Sequence, residues 1–242
     1  MLLALVMTAA TAAAAAPAQP WPPAPKLAEA VKSTLRGVGT EPFWSMEITG
    51  QKITLTAPGP ENDEVTEFKP ESSTALGATA HSWTSGPLTV TVSEGACSDG
   101  MSEVNYPYSI EVTVTGKNAV SLKGCAYRSW GQDVVAAIPI IDACLALDAT
   151  KPPISFAAAT APDAGYVMLS GSDDHPLQGC VVAGGKATLT PATADDIEPP
   201  GTNAEIFVRG PGENPGGECY EAPEVKDANG KLLGWWLDPM GC

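Results

Sequence analysis

The chain has 242 residues and a mass of 24.8 kDa, room for one large or two small domains with a real core. Hydrophobic residues make up 44% and charged residues only 17%, which excludes a disordered chain and a coiled coil. Acidic residues outnumber basic ones by 28 to 13, and a net charge of -15 repels phosphate backbones, so no nucleic-acid partner is expected.

Residues 1–20, MLLALVMTAATAAAAAPAQP, are apolar, Ala-rich and free of charged side chains. They read as a secretory signal peptide over 1–18, with Ala16 and Ala18 at the small positions before the cut and cleavage after Ala18. No stable membrane span is expected once it is removed. The six cysteines, Cys97, Cys125, Cys144, Cys180, Cys219 and Cys242, all follow this leader. In an exported chain they predict three disulfides, and sequential pairing keeps each within one compact segment: Cys97–Cys125, Cys144–Cys180 and Cys219–Cys242. Their spacings make no zinc knuckle, and with only His81 and His175 beside them neither a metal nor a cofactor is predicted.

A Pro-rich linker (QPWPPAP, 19–25) leads to Leu27, Val31 and Leu35, whose spacing of four predicts a short helix ended by Gly37. The segment 19–37 is therefore read as linker and helix. After Gly39 the period changes to two. Trp44, Met46 and Ile48 alternate with polar residues, turn at Gly50-Gln51 and return through Ile53 and Leu55 as a β-hairpin. Leu88, Val90 and Val92 mark another strand. Ile110, Val112 and Val114 turn at 116–118 and return through Val120 and Leu122. Strands with one apolar face must cover it, so residues 38–130 predict a small antiparallel barrel or sandwich.

Pro139 interrupts the apolar run from Val134 to Leu147, which predicts a loop followed by a short helix over Asp142–Leu147. β character then resumes at Tyr166–Leu169. It continues in a hairpin around Gly184-Gly185 and in another around Asp227-Ala228-Asn229-Gly230. Trp235 and Trp236 must point to opposite faces, one into the core and one outward as a candidate partner contact. Residues 131–242 thus predict a second β-rich, disulfide-containing domain, and the whole chain a mostly β fold.

The most distinctive residues are Gly39-Thr40-Glu41-Pro42-Phe43-Trp44-Ser45, Cys97-Ser98-Asp99-Gly100-Met101-Ser102-Glu103 with Tyr106-Pro107-Tyr108, and Gly124-Cys125-Ala126. Together they resemble a family of uncharacterised bacterial envelope proteins, often lipoproteins, that carry GTEPFW, CSDGMSD and YP elements. The resemblance covers about residues 37–127. It implies an envelope β-domain, periplasmic or secreted, and no particular activity. Glu103 stands where the family usually shows Asp, and no lipid-anchor cysteine follows the expected cleavage site.

Chemically, Glu41, Asp99 and Glu103 are carboxylates near the aromatic residues Phe43, Trp44 and Tyr106, with Met101 beside them. If the Cys97 loop is held against the first strand, they would line one end of the barrel and bind a sugar, a cation or a partner. The competing reading is structural: Asp99-Gly100 is a good turn, Ser98 and Asp99 can cap backbone N–H groups, and Trp44 alternates as a core residue. No activated nucleophile or base pair is visible, so no enzyme is expected. The chain reads as a non-catalytic exported envelope protein binding a small molecule, a cell-wall fragment or an envelope protein. A lysozyme-inhibitor-like module, with Leu169-Ser170-Gly171-Ser172 as its loop, is the alternative, and a hydrolase using Glu41 and Asp99 is third. His81 and His175 are expected to be surface or structural, and Asp173-Asp174 and Asp195-Asp196 to be solvated turns.

Overall fold

A computed structural model describes residues 25–59, 63–101, 105–116, 119–170, 177–191, 205–217 and 222–237. The expected signal peptide, Glu103, His175, the Asp173-Asp174 and Asp195-Asp196 turns, the Gly171-Ser172 half of the inhibitor-type loop and the Cys219–Cys242 pair lie outside these residues.

The first half is one nine-stranded sheet. After a single helical turn, α1 (Leu27–Ala30), come β1 (Leu35–Thr40), β2 (Phe43–Ile48), β3 (Ile53–Pro58) and β4 (Asp63–Phe68). Then follow β5 (Ser72–Ala75), β6 (Ala80–Ser85), β7 (Leu88–Ser98), β8 (Asn105–Val114) and β9 (Val120–Arg128). The order is β4-β3-β2-β1-β9-β8-β7-β6-β5, two meanders joined by the β1–β9 pair. Alternation drives the curl. Trp44, Met46, Ile48, Ile53, Leu55, Val90, Val92, Ile110, Val112 and Leu122 turn to one face and form a single buried cluster.

All eight pairings are antiparallel, so the two edge strands, β4 and β5, run in the same direction. Yet they are consecutive in the chain, joined only by Lys69-Pro70-Glu71. The four steps from Phe68 to Ser72 span at most about 14 Å, so the sheet must curl until its edges approach. A link that short cannot lay two parallel strands side by side, which takes a crossover of about a dozen residues or more. The sheet is therefore a half-barrel with an open seam.

Leu35 and Gly37 belong to β1 and not to the expected helix, which is only the four residues of α1. The correction has a steric reason. β1 runs between β2 and β9 beneath the Trp44 indole, and a Cβ on Gly39 would lie 2.0 Å from Trp44 Nε1. Glycine serves here as a close-approach residue and not as a helix stop.

The second half is a seven-stranded sheet in the order β13-β12-β11-β10-β14-β16-β15. Its strands are β10 (Ile154–Ala161), β11 (Ala164–Leu169), β12 (Gln178–Ala183), β13 (Lys186–Pro191), β14 (Ile206–Arg209), β15 (Glu224–Lys226) and β16 (Leu232–Leu237). A helix, α2 (Val134–Leu145), packs Val134, Ala137, Ile141 and Cys144 into its core. Here too the expectation is corrected: the apolar stretch is one helix with Pro139 inside it. Proline removes only the bond to the Val135 carbonyl, and Val135 is exposed, where water replaces the lost donor. Cys144–Cys180 ties α2 to β12, and Cys97–Cys125 ties β7 to β9, as the sequential pairing predicts. Trp235 and Trp236 do take opposite faces, but neither points freely outward. Trp235 is buried with Ala222 and Leu237, and Trp236 stacks edge-on against Trp130 at 4.5 Å.

No linker separates the halves: β9 passes through Ser129, Trp130 and a 3-10 turn (Gly131–Asp133) directly into α2. Among the described residues no helix is long and apolar enough to cross a membrane.

Candidate functional site

The motif residues meet on the outer wall of the half-barrel. Strand alternation turns Val38 and Thr40 of β1 and Cys125 and Tyr127 of β9 away from the main cluster. Between Glu94 and Cys97 the β7–β8 ladder shifts register, and past the bulge it resumes as Cys97↔Tyr106 and Ser98↔Asn105. The Cys97–Cys125 bond draws this hairpin end onto the outer face, where Cys97 and Tyr106 cover Val38, Cys125 and Tyr127. The Tyr106 and Tyr127 rings pack 5.9 Å apart.

Asp99 is the organiser. Its Oδ1 accepts from the Met101 N–H at 3.0 Å and its Oδ2 accepts from the Tyr106 hydroxyl at 3.2 Å. Its carbonyl accepts from the Thr40 hydroxyl at 2.8 Å, and the Gly100 N–H donates to Ser98 Oγ at 3.2 Å. The turn reading of Asp99-Gly100 is thus realised, and the same bonds place it against β1.

Between this loop and the wall lies a cleft of about 450 Å³, lined among others by Thr40, Glu41, Ser98, Asp99, Met101 and Lys123. Met101 is 68% exposed, and Phe43, the register partner of Thr40 on the same face, is 64% exposed. Glu41 is exposed, and Lys123 pairs with Glu111 at 3.0 Å across the surface, a weak constraint on either. The cleft therefore offers a carboxylate, an ammonium group, hydroxyls and the bare Met101 side chain, with the bare Phe43 ring on the same wall beside it.

Of the expected site residues, the fold gathers Glu41, Phe43, Asp99, Met101 and Tyr106 on this outer surface instead of around one end of the barrel. Trp44 stands apart. It is 5% exposed on the inner face, its Nε1 donating to the Lys123 carbonyl at 3.3 Å. It supports the cleft from behind. Lys123 was not singled out by its own pattern, but it lies two residues before Cys125, and the cystine alone brings it beside the Cys97 loop.

His81 pairs with Ser73 Oγ at 2.7 Å and packs against Trp83, and burial lowers its pKa from the ordinary value. Among the described residues no three His, Cys, Asp or Glu side chains gather in a way that could hold a metal ion.

No protein-family model, curated protein or solved structure matches the chain.

Proposed function

We propose that the protein is a non-catalytic binding protein of the bacterial cell envelope, exported by its leader, whose ligand docks in the outer-wall cleft. The observation that carries this reading is the pairing of commitment and exposure among the motif residues. Asp99 and Tyr106 are spent on holding the loop, while Phe43, Met101 and Glu41 are left bare beside it. Exposed Met101 on a loop fixed by a cystine, with exposed Phe43 at the start of the neighbouring strand, suits recognition, because little freedom of the surrounding structure is lost on binding. Two disulfides are in keeping with an oxidising compartment.

A cell-wall fragment fits the cleft chemistry. A muropeptide offers an amine to Glu41, a carboxylate to Lys123 and an apolar sugar face to Phe43 and Met101. Asp99 has both carboxylate oxygens engaged, which speaks for recognition over hydrolysis. The test is calorimetric titration with a muropeptide panel, comparing wild type with Phe43→Ala/Met101→Ala. Saturable binding by wild type that the double variant loses, at unchanged melting temperature, supports the reading; equal heats from both proteins reject it. Titration with a basic lysozyme in the same experiment separates the inhibitor alternative.

A further inference from the structure

The half-barrel has two unlike ends. At one, α1 acts as a stopper: Leu27 and Ala30 are buried in the main cluster, the Leu27 N–H donates to Glu94 Oε1 at 2.7 Å, and the Tyr108 hydroxyl donates to the Pro25 carbonyl. At the other, lined among others by Pro42, Pro58, Pro87 and Thr115, a cavity of about 770 Å³ opens. That volume is in the range that takes small organic ligands.

The cavity wall is not an ordinary core. Register sets Ala57 opposite Glu64, Leu55 opposite Thr66 and Ile53 opposite Phe68, so Glu64, Thr66 and Phe68 share the inner face with the core residues of β3. Val65 points the other way and is 64% exposed. β4 thus carries a glutamate and a threonine on the inner face beside Phe68, at positions where β2 and β3 carry only apolar core residues or small ones, and Glu64 and Thr66 stay exposed at the open edge. Apolar side chains floor the cavity, among them Leu55, Val114 and Leu122, and Glu64 is the one charged side chain among its described lining residues.

We infer that this mouth binds a single-chain amphiphile with a cationic head. The tail lies over Leu55, Phe68, Val114 and Leu122, and the head stands at Glu64 and Thr66. Glu64 is exposed at the rim of an apolar cavity, and a carboxylate there favours a cationic head over an anionic one, which would meet like charge. The net charge of -15 adds attraction of the same sign. This site is separate from the outer cleft, the two meeting only at the Glu41–Pro42 turn. Its ligand is recognised by an alkyl chain that a muropeptide lacks, so either reading can fail alone.

The test is calorimetry on the full chain with dodecyltrimethylammonium, dodecyl maltoside and dodecyl sulfate, each below its micelle concentration. The expected result is saturable one-to-one binding, tightest for the cation and weakest for the sulfate. Glu64→Gln should weaken the cation by about threefold, the scale of one partly exposed ion pair, and leave the maltoside unchanged. That variant removes one charge from a heavily acidic surface, so non-specific attraction would scarcely respond to it. Val120→Arg, at the exposed rim, should weaken the cation more than the maltoside. Absence of saturable binding would overturn the inference. So would a charge preference that survives Glu64→Gln, which would leave Glu64 as a guard against edge-to-edge strand pairing.

Discussion

Arg36 of β1 and Glu205, just before β14, form an ion pair at 3.0 Å, with Glu205 fully buried between the two halves. The Trp130 N–H donates to the other oxygen of the same carboxylate at 3.2 Å, and Arg36 also reaches Glu47 at 3.2 Å. A carboxylate taken out of water in this way is tolerable only with its partners in place. The pair therefore fastens the first half to the second. Arg36→Met should destabilise the chain by about 3 kcal/mol, because it leaves a buried charge uncompensated. Arg36→Met/Glu205→Gln should recover much of that loss. Chemical denaturation of wild type, Arg36→Met, Glu205→Gln and the double variant checks it; additive losses would show that the residues act independently.

The contact of Gly39 with Trp44 makes a second prediction. Gly39→Ala would push a methyl group into the indole and should cost about 2–3 kcal/mol by overpacking. Trp44→Phe removes the ring that is struck, so the double variant should cost clearly less than the two single losses combined. Melting curves of the four proteins close the cycle, and strict additivity would contradict the packing described.

The hairpins of the half-barrel were legible where alternation is clean, as in Trp44–Ile48 or Ile110–Val114, because one face is buried and the other wet. β4 and β5 carry no sequence signal because almost nothing in them is buried and the period-two pattern has no apolar phase there, and in β6 Trp83 is the single large buried apolar residue. The barrel mouth went with them. The start of β1 reads as a helix end because Leu27, Val31 and Leu35 keep helical spacing, and only the third dimension shows that Trp44 requires bare backbone beside it. Pro139 misled in the same manner: a local rule was overridden by the burial of Ala137, Ile141 and Cys144. The two cystine pairs, Cys97–Cys125 and Cys144–Cys180, are legible from order alone, and the meeting of Glu41 with Asp99 follows only once the Cys97 loop is held against the first strand.

The two cystines should respond differently to reductant. Cys144 and Cys180 are both buried, whereas Cys97 is half-buried at the surface. Mild reductant with alkylation should label Cys97 and Cys125 first. Their loss should cost about 3–4 kcal/mol, the scale for a closed loop of this length. Peptide mapping by mass spectrometry reads the order, and earlier labelling of Cys144 would contradict it.

Burial, reinforced by Glu94 and opposed by Arg128, pushes the Tyr108 phenol up to about 12 from an ordinary value of 10.0. Below pH 10 both folded and unfolded chains hold the proton, and stability is unaffected. Above it the unfolded tyrosine ionises while the folded one does not, so stability falls between pH 10 and 12. Tyr108→Phe should lower stability at neutral pH and flatten that alkaline decline. A decline of equal slope in the variant would assign it to other groups.

The central claim is that the ligand docks on the outer wall, between the Asp99 loop and β1. Amide NMR spectra of the labelled protein, titrated with the muropeptide that calorimetry selects, test it most directly. Shifts should concentrate at Thr40, Glu41, Phe43, Asp99, Met101 and Lys123 and leave α2 and the second sheet unmoved. Shifts confined to the second half, or a saturating titration that leaves the Asp99 loop unperturbed, would contradict the account.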